Sequence, residues 1–531
     1  MAINFPTSPT TNDIYTESDR SWKFNGTSWD GLPIPSGSGI ITYTPAGTGA
    51  VDTVVETKLR ESVSVKDFGA VGDGVADDTA DIQAAVDHAI ANSKVVYLPE
   101  GNYKISSTIR DTSTTSNFGF IGSGIGTTTI SCYFGSSQPC VKFFNKTNFT
   151  LSGFSINGRF SSGSLSTQGV DCANLTNATI SDISVQDVEG QGIWCISGAN
   201  SITNNEVIMT RLRVKDCGSS GIQLSGARQS SLSHSIAENI GSLYATNGGS
   251  GSGVYFKCPI EDCIHTANTA INAPLGAFNL GNSYAGVAKG KRLNFSNGTA
   301  INCQRGIRVG DIEDSVFTNF TLDLDGTNTG GLGDGVRLEA GSINNSFTNI
   351  SVSGVGNSRS GARLLDGAVG NLIELTSFKN PTAGAYVASF EDTSEDNIVE
   401  VTNNKSSSTE TLYGTDTSNI YRRKGVPNAQ TKIISTGAVS LEDREICYVI
   451  LDTESAAATD DLDTISGAQY DGQILRLTSY SDIRDVTVKD STDNLRLEGD
   501  MVLDRASDTI TLMWVERITK WCEVSRSNNQ A

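Results

Sequence analysis

Asp323 and Asp325 stand at i and i+2 in Leu322-Asp323-Leu324-Asp325. On a strand, alternation turns the two leucines inward and the two acids outward, about 6.5–7 Å apart. That separation suits an inverting glycosidase, in which one carboxyl is protonated and the other ionised. The same acids also suit a solvated turn, since Gly326 follows. Glu261 and Asp262 form a second pair, in a polar stretch. The alternative chemistry is a lyase, with Arg or Lys neutralising a uronate and Tyr or His as base. Tyr255, Lys257 and Arg308 would serve it. The chain has 3 His, at 88, 234 and 265, and none lies near a nucleophile motif. A Ser-His-Asp system is therefore not expected. No zinc spacing, P-loop or dinucleotide fingerprint occurs, so no metal or cofactor is predicted. Asp73, Asp77 and Asp78 read as turn and helix-cap acids rather than metal ligands.

A repeat must position these groups. The unit is Gly, small apolar, any residue, apolar. It stands as Gly169-Val170-Asp171-Cys172, Gly192-Ile193-Trp194-Cys195, Gly221-Ile222-Gln223-Leu224 and Gly253-Val254-Tyr255-Phe256. It continues at Gly286, Gly306, Gly335, Gly361 and Gly384. A second repeat lies between, as in Phe317-Thr318-Asn319-Phe320 and Phe347-Thr348-Asn349-Ile350. Two alternating strands per period of this size mark a β-solenoid. Alternation then puts Asp171, Trp194, Gln223, Tyr255, Ala288, Arg308, Arg337, Arg363 and Tyr386 in one outward column. Trp194, Tyr255 and Tyr386 suit stacking on sugar CH faces, or packing under a loop. Arg308, Arg337 and Arg363 suit acidic or hydroxyl groups. Residues 241–252 and 258–284 look too long for turns, and are expected to project as loops beside this column.

The start of the solenoid runs Asp67-Phe68-Gly69-Ala70, Gly72-Asp73-Gly74, Asp77-Asp78-Thr79 and Leu98-Pro99-Glu100-Gly101-Asn102-Tyr103. Between the last two pieces, Ile82, Ala85, Val86, Ala89 and Ile90 form the apolar stripe of a short helix over 79–91. These pieces resemble the N-terminal signature of the pectate lyase and polygalacturonase superfamily of right-handed parallel β-helices, as seen in bacteriophage tailspikes. The resemblance covers residues 44–103. It implies an all-β fold, a right-handed parallel β-helix closed by a capping helix, and a homotrimer.

The organisation expected is an N-terminal β module at 1–33, a neck at 34–62, the β-helix at 63–425 and a C-terminal β domain at 426–531. The first has Asn25-Gly26 as a hairpin turn and three aromatics, Trp22, Phe24 and Trp29. It is similar to modules that attach phage adhesins to the tail or its adaptor. The last shows alternating segments such as Val486-Thr487-Val488 and Ile510-Thr511-Leu512, read as a small antiparallel sandwich for trimerisation or carbohydrate binding. A formal charge of −20 opposes nucleic acid and anionic membranes as partners. The 10 Cys include no CxxC pair and read as buried apolar residues. No apolar run is long enough to span a membrane and no export signal is evident. With the resemblance, this implies a virion protein made in the host cytoplasm. It would bind a bacterial surface polysaccharide and hydrolyse it. A non-enzymatic adhesin on the same scaffold and a polysaccharide lyase are the alternatives.

Overall fold

The computed structural model describes residues 4–529 apart from 18–19, 33–40, 165, 198–200, 242–251, 275, 282–287, 326–332, 357–358, 380–384, 392, 403–411, 414–417, 424–428, 442–447 and 468–470. Parallel strands from Val63–Ser64 to Ile420–Arg423 wind into one 33-stranded β-helix. Each rung pairs in register with the next, so inward side chains stack by type. One interior row runs Val170, Ile193, Ile222, Val254, Phe278, Ile307, Val336 and Ala362. Another runs Ile180, Met209, Leu232, His265, Phe295, Phe317, Phe347 and Ile373. In it Phe317 and Phe347 stack with centroids 4.2 Å apart. The cysteines at 132, 140, 172, 195, 217, 263 and 303 are free and buried, as apolar filler.

The corners between short strands need left-handed backbone. Asn and Asp adopt it more readily than other residues that carry a side chain. Asn117, Asn148 and Asn177 take φ of 57°, 51° and 49° at one corner. Their side-chain amides donate rung to rung, Asn148 to Asn117 at 2.8 Å and Asn177 to Asn148 at 2.7 Å. Asn297, Asn319 and Asn349 repeat the device at another corner. A third ladder, Asn345, Asn371, Asn397 and Asn419, is buried and satisfies backbone carbonyls as well as its own members.

The capping helix spans Thr79–Ala91 and buries Ile82, Ala85, Val86 and Ala89. Asp78 precedes it, but its side chain does not cap the helix. Its carboxylate instead accepts from the N–H groups of Val71 and Gly72, at 2.6 and 3.2 Å. Those bonds pin the Gly-rich turn. Gly72 sits at φ 69°, where a Cβ would meet the Tyr103 ring at 2.9 Å. The neck carries a short helix, Val55–Leu59. A hollow of about 690 Å³ beneath it is lined by Leu59, Val63, Phe68, His88 and Lys94.

The N-terminal module is a three-stranded antiparallel sheet, Ile14–Glu17, Arg20–Phe24 and Trp29–Gly31. Phe5 stacks on Trp29 at 5.1 Å, and Tyr15 and Trp22 close the cluster. The C-terminal domain has its own core, including Val449, Leu475, Leu512 and Trp521. The antiparallel expectation holds only in part. Ala429–Ile433, Tyr448–Asp452 and Ile474–Ser479 run parallel, and Thr509–Val515 then pairs antiparallel to the last of them.

Two expectations are corrected. The described residues of 258–284 do not form a loop. They contain most of a rung, with Ile264–Thr266, Thr269–Ile271 and Gly276–Leu280 in register. The repeat was misplaced at Gly286, because Ala277 takes the glycine position here: Gly253 approaches its carbonyl. Of the loop expected at 241–252, residues 242–251 lie outside the described residues.

His265 is fully buried among Phe256, Phe278, Phe295 and Phe320, and neither ring nitrogen has a partner among the described residues. Burial pushes its pKa down to about 3. A base with a depressed folded-state pKa destabilises the fold as pH falls below its unfolded value of about 6.5, by about 1.4 kcal/mol per pH unit. His265→Phe continues the aromatic row. Its melting temperature is expected to fall less than that of the native chain between pH 7 and pH 5. Equal losses would show that His265 finds a partner in solution.

Candidate functional site

Register assigns the outward column directly. Arg110, Lys142, Asp171, Trp194, Gln223, Tyr255, Asn279, Arg308, Arg337, Arg363 and Ser389 are successive partners. Asn279 stands where Ala288 was expected, and Ser389 where Tyr386 was expected. Tyr386 pairs with Ser360 instead. The face is recessed rather than flat: Asp171, Gln223 and Asn279 are buried, and Trp194, Tyr255, Arg308, Arg337 and Arg363 are half-buried. Part of its hydrogen-bonding capacity is unfilled, although Asp171 pairs with Lys142 at 3.1 Å and Asn279 donates to Ser252 Oγ at 2.6 Å. Asp171 Oδ1, Trp194 Nε1 and Asn279 Oδ1 are buried with no partner among the described residues. Such groups cost free energy unless something bonds them.

At its basic end the column carries an ion network. Arg308 clamps Glu339 through two bonds, at 2.8 and 2.5 Å. Arg337 reaches the same carboxylate at 2.9 Å and Asp334 at 3.5 Å. Arg363 pairs with Glu391 at 2.8 Å. Burial alone would raise the Glu339 carboxyl, but Arg308 and Arg337 hold it below the usual range. Asp311, close to Arg308, goes the other way: burial raises its pKa against the pull of Lys289 and Arg308. Two neighbouring carboxyls with opposed shifts are the pattern of an acid and a base.

The predicted acids lie elsewhere. Asp323 is exposed, one column in from a corner, between Ile301 and Ser353. Its carboxylate accepts from Ser353 Oγ at 2.9 Å. Asp325 falls beyond the strand Val316–Leu324, with its N–H bonded to the Cys303 carbonyl. Leu322 and Leu324 are buried, Asp323 is exposed and Asp325 is half-buried. The turn at 304–306 separates their face from the arginine column. Glu261 and Asp262 are held in ladders of charge. Glu261 meets Arg228 at 3.0 Å and Lys291 at 3.4 Å, and Asp262 is gripped by Arg292 at 2.7 and 2.9 Å. Asp262 occupies a left-handed corner at φ 53°. Among the described residues no group of three or more His, Cys, Asp or Glu is arranged to hold a metal. No described helix is long and apolar enough to cross a membrane.

Asn279, Asp311 and Glu339, in or beside the column, are not among the residues that the sequence singles out. The usable signal is an arginine in the column with a glutamate two positions past the column in the next rung. Arg308 with Glu339 and Arg363 with Glu391 both follow it, but only once the register is known.

Residues 62–307 match the family described as rhamnogalacturonase A/epimerase, pectate lyase-like. That match spans just under half of the chain, and within it the chain is a parallel β-helix. It holds the cap and the column as far as Asn279, and stops just short of Arg308. The Azotobacter vinelandii mannuronan C5-epimerase AlgE1 is 37% identical over 122 residues, which is 20% of this chain and 8% of that enzyme. The chain thus spans only a small part of the curated relatives it matches. The A-module of the epimerase AlgE6 from the same organism superposes with a TM-score of 0.55 at 19% identity, over 68% of this chain and 98% of that one. This establishes the fold. A tailspike of E. coli bacteriophage HK620 covers 86% of this chain and 86% of its own, with a TM-score of 0.48 and 14% identity.

Glu339→Ala leaves Arg308 and Arg337 facing each other and is expected to cost about 1–3 kcal/mol in urea unfolding. Asp262→Ala removes one exposed pair and is expected to move the midpoint little. The reverse order would mean that the charge ladders, not the arginine network, hold the β-helix wall.

Proposed function

We propose that the recessed column from Asp171 to Arg363 binds a polysaccharide along the helix axis. The observation that carries this reading is the concentration of unpartnered buried polar atoms at Asp171, Trp194 and Asn279, beside half-buried Trp194 and Tyr255. Sugar hydroxyls would fill the hydrogen bonds, and aromatic faces would take the apolar sugar faces. Successive rungs, about 4.8 Å apart, would meet successive parts of the chain. The pectate lyase-like match and the epimerase relatives support a carbohydrate-active protein. In the tailspike reading, the ligand is a bacterial surface polysaccharide, the N-terminal aromatic module holds the phage tail, and the protein is a homotrimer. The face between the Asn corners supports that assembly. Its outward rows from Thr179 and Ser181 through Ile208, Thr210, Ile264, Thr266, Val316 and Thr318 carry no charge, on a chain of net charge −20. Copies can approach there with least repulsion.

We assign cleavage, by hydrolysis, to Asp311 as general acid and Glu339 as the ionised partner, in place of Asp323 and Asp325. Cleavage then falls as pH rises through the raised Asp311 pKa, and falls again in acid as Glu339 is protonated. Asp311→Asn should lower the rate by about 10²–10⁴-fold, measured as new reducing ends from host capsule or lipopolysaccharide. Asp323→Asn and Asp325→Asn should cleave at the native rate. The opposite pattern returns catalysis to Asp323 and Asp325. Ultraviolet-absorbing unsaturated products would mean a lyase, and binding without new ends an adhesin. Sedimentation should give three chains per particle, and a monomer would remove the assembly from the reading.

A further inference from the structure

Arg305 sits in the turn between Thr299–Cys303 and Ile307–Val309, at the edge of the recessed column. It is only 8% exposed. Its Nε is buried with no acceptor, and no hydrogen bond or ion pair holds its guanidinium among the described residues. The nearby carboxylates are already engaged. Glu339 is shared by Arg308 and Arg337. Asp334 accepts from the Ser360 N–H at 3.1 Å and from Arg337 at 3.5 Å. Arg305 is thus the one guanidinium of the three that no carboxylate contacts among the described residues, on a chain of net charge −20. Arg337 and Arg308 repel Arg305, and burial disfavours its charge, yet it remains an arginine that cannot shed its proton near neutral pH. One rung earlier the equivalent position is Gly276, where a Cβ would meet the Arg305 Cβ at 3.8 Å.

A buried, unpaired charge is among the costliest features a fold can carry. It is tolerable where a counter-charge arrives from outside. We infer that Arg305 is the anion-binding residue of the polysaccharide site, and that the polymer recognised there is acidic, with a carboxylate on its sugar or on a pyruvyl substituent. The guanidinium would take the oxyanion in a two-point grip. Trp194, Tyr255 and the unpartnered amide oxygen of Asn279 would hold the neutral part of the chain. This rests on the polysaccharide reading given above and adds the chemical class of the polymer.

The test uses the full chain on a panel of bacterial polysaccharides with acidic and neutral members. The best-bound polymer is then re-tested after chemical reduction of its carboxyl groups. Arg305→Met and Arg305→Lys are examined beside the native protein by binding and by thermal melting. The expected result is retention of acidic polymers only and at least tenfold weaker binding after carboxyl reduction. Arg305→Met should show a similar loss, and Arg305→Lys a partial one. Arg305→Met should melt no lower than the native chain, because it removes an unpaired charge. Equal binding of neutral or reduced polymers, or undiminished binding by Arg305→Met, overturns the inference. A melting temperature lowered by several degrees in Arg305→Met also overturns it, since the residue would then be structural. Failure of the native protein to bind any polymer sinks the polysaccharide reading itself, and this inference with it.

Discussion

Every rung of this β-helix must turn its corners at the same places as the rungs on either side. Parallel in-register pairing demands it, because a slip of one residue would send each inward row to the surface. The corners are tight and several need positive φ, which most side chains resist. Asn and Asp tolerate it, and a stacked amide can both donate and accept along its row. The Asn117–Asn148–Asn177 and Asn297–Asn319–Asn349 ladders therefore meet two requirements at once. They relieve the backbone strain and lock the register.

A locked register has a chemical consequence. Residues distant in sequence but equal in rung position become neighbours with fixed spacing. Trp194, Tyr255, Arg308 and Arg337 share a face for that reason alone. The same mechanism sorts charge. Where an acid and a base fall in adjacent rungs at a corner, as in Asp182 and Arg211 or Asp262 and Arg292, they neutralise each other. Where three arginines fall together, as at Arg305, Arg308 and Arg337, Glu339 and Asp334 are engaged by the last two and Arg305 is left without an acceptor for its Nε among the described residues. Stacking also explains His265. It occupies a row otherwise filled by isoleucine, methionine, leucine and phenylalanine, and its shape fits although its chemistry does not.

Much of this was legible in the sequence. The Gly-apolar repeat, the cap helix at Thr79–Ala91 and the buried cysteines are local patterns, and local patterns survive without knowledge of neighbours. Most of the outward column was legible too, since Trp194, Tyr255, Arg308, Arg337 and Arg363 each follow a clear glycine. The rung at Ala277 was not, because alanine replaced the marker and Gly286 imitated it. Asp323 and Asp325 drew attention because they are close in sequence. The proximity of Asp311 and Glu339 is a property of register, across 28 residues of chain, and has no local signal. Asp78 shows the limit at a single residue: its type suits a helix cap, but two N–H groups of the Gly-rich turn compete for its carboxylate more successfully.

The central claim is that the polymer lies along the recessed column, and hydrogen-exchange mass spectrometry of the full chain with and without host polysaccharide tests it most directly. The account predicts slowed exchange confined to 170–173, Ile193–Ile196, Ile222–Arg228, Ser252–Glu261, Gly276–Leu280, Ile307–Val309, Val336–Leu338 and Ser360–Leu364. Protection instead of the uncharged face around Ile208 and Ile264, of the Asp323 column, or of the C-terminal domain would contradict it.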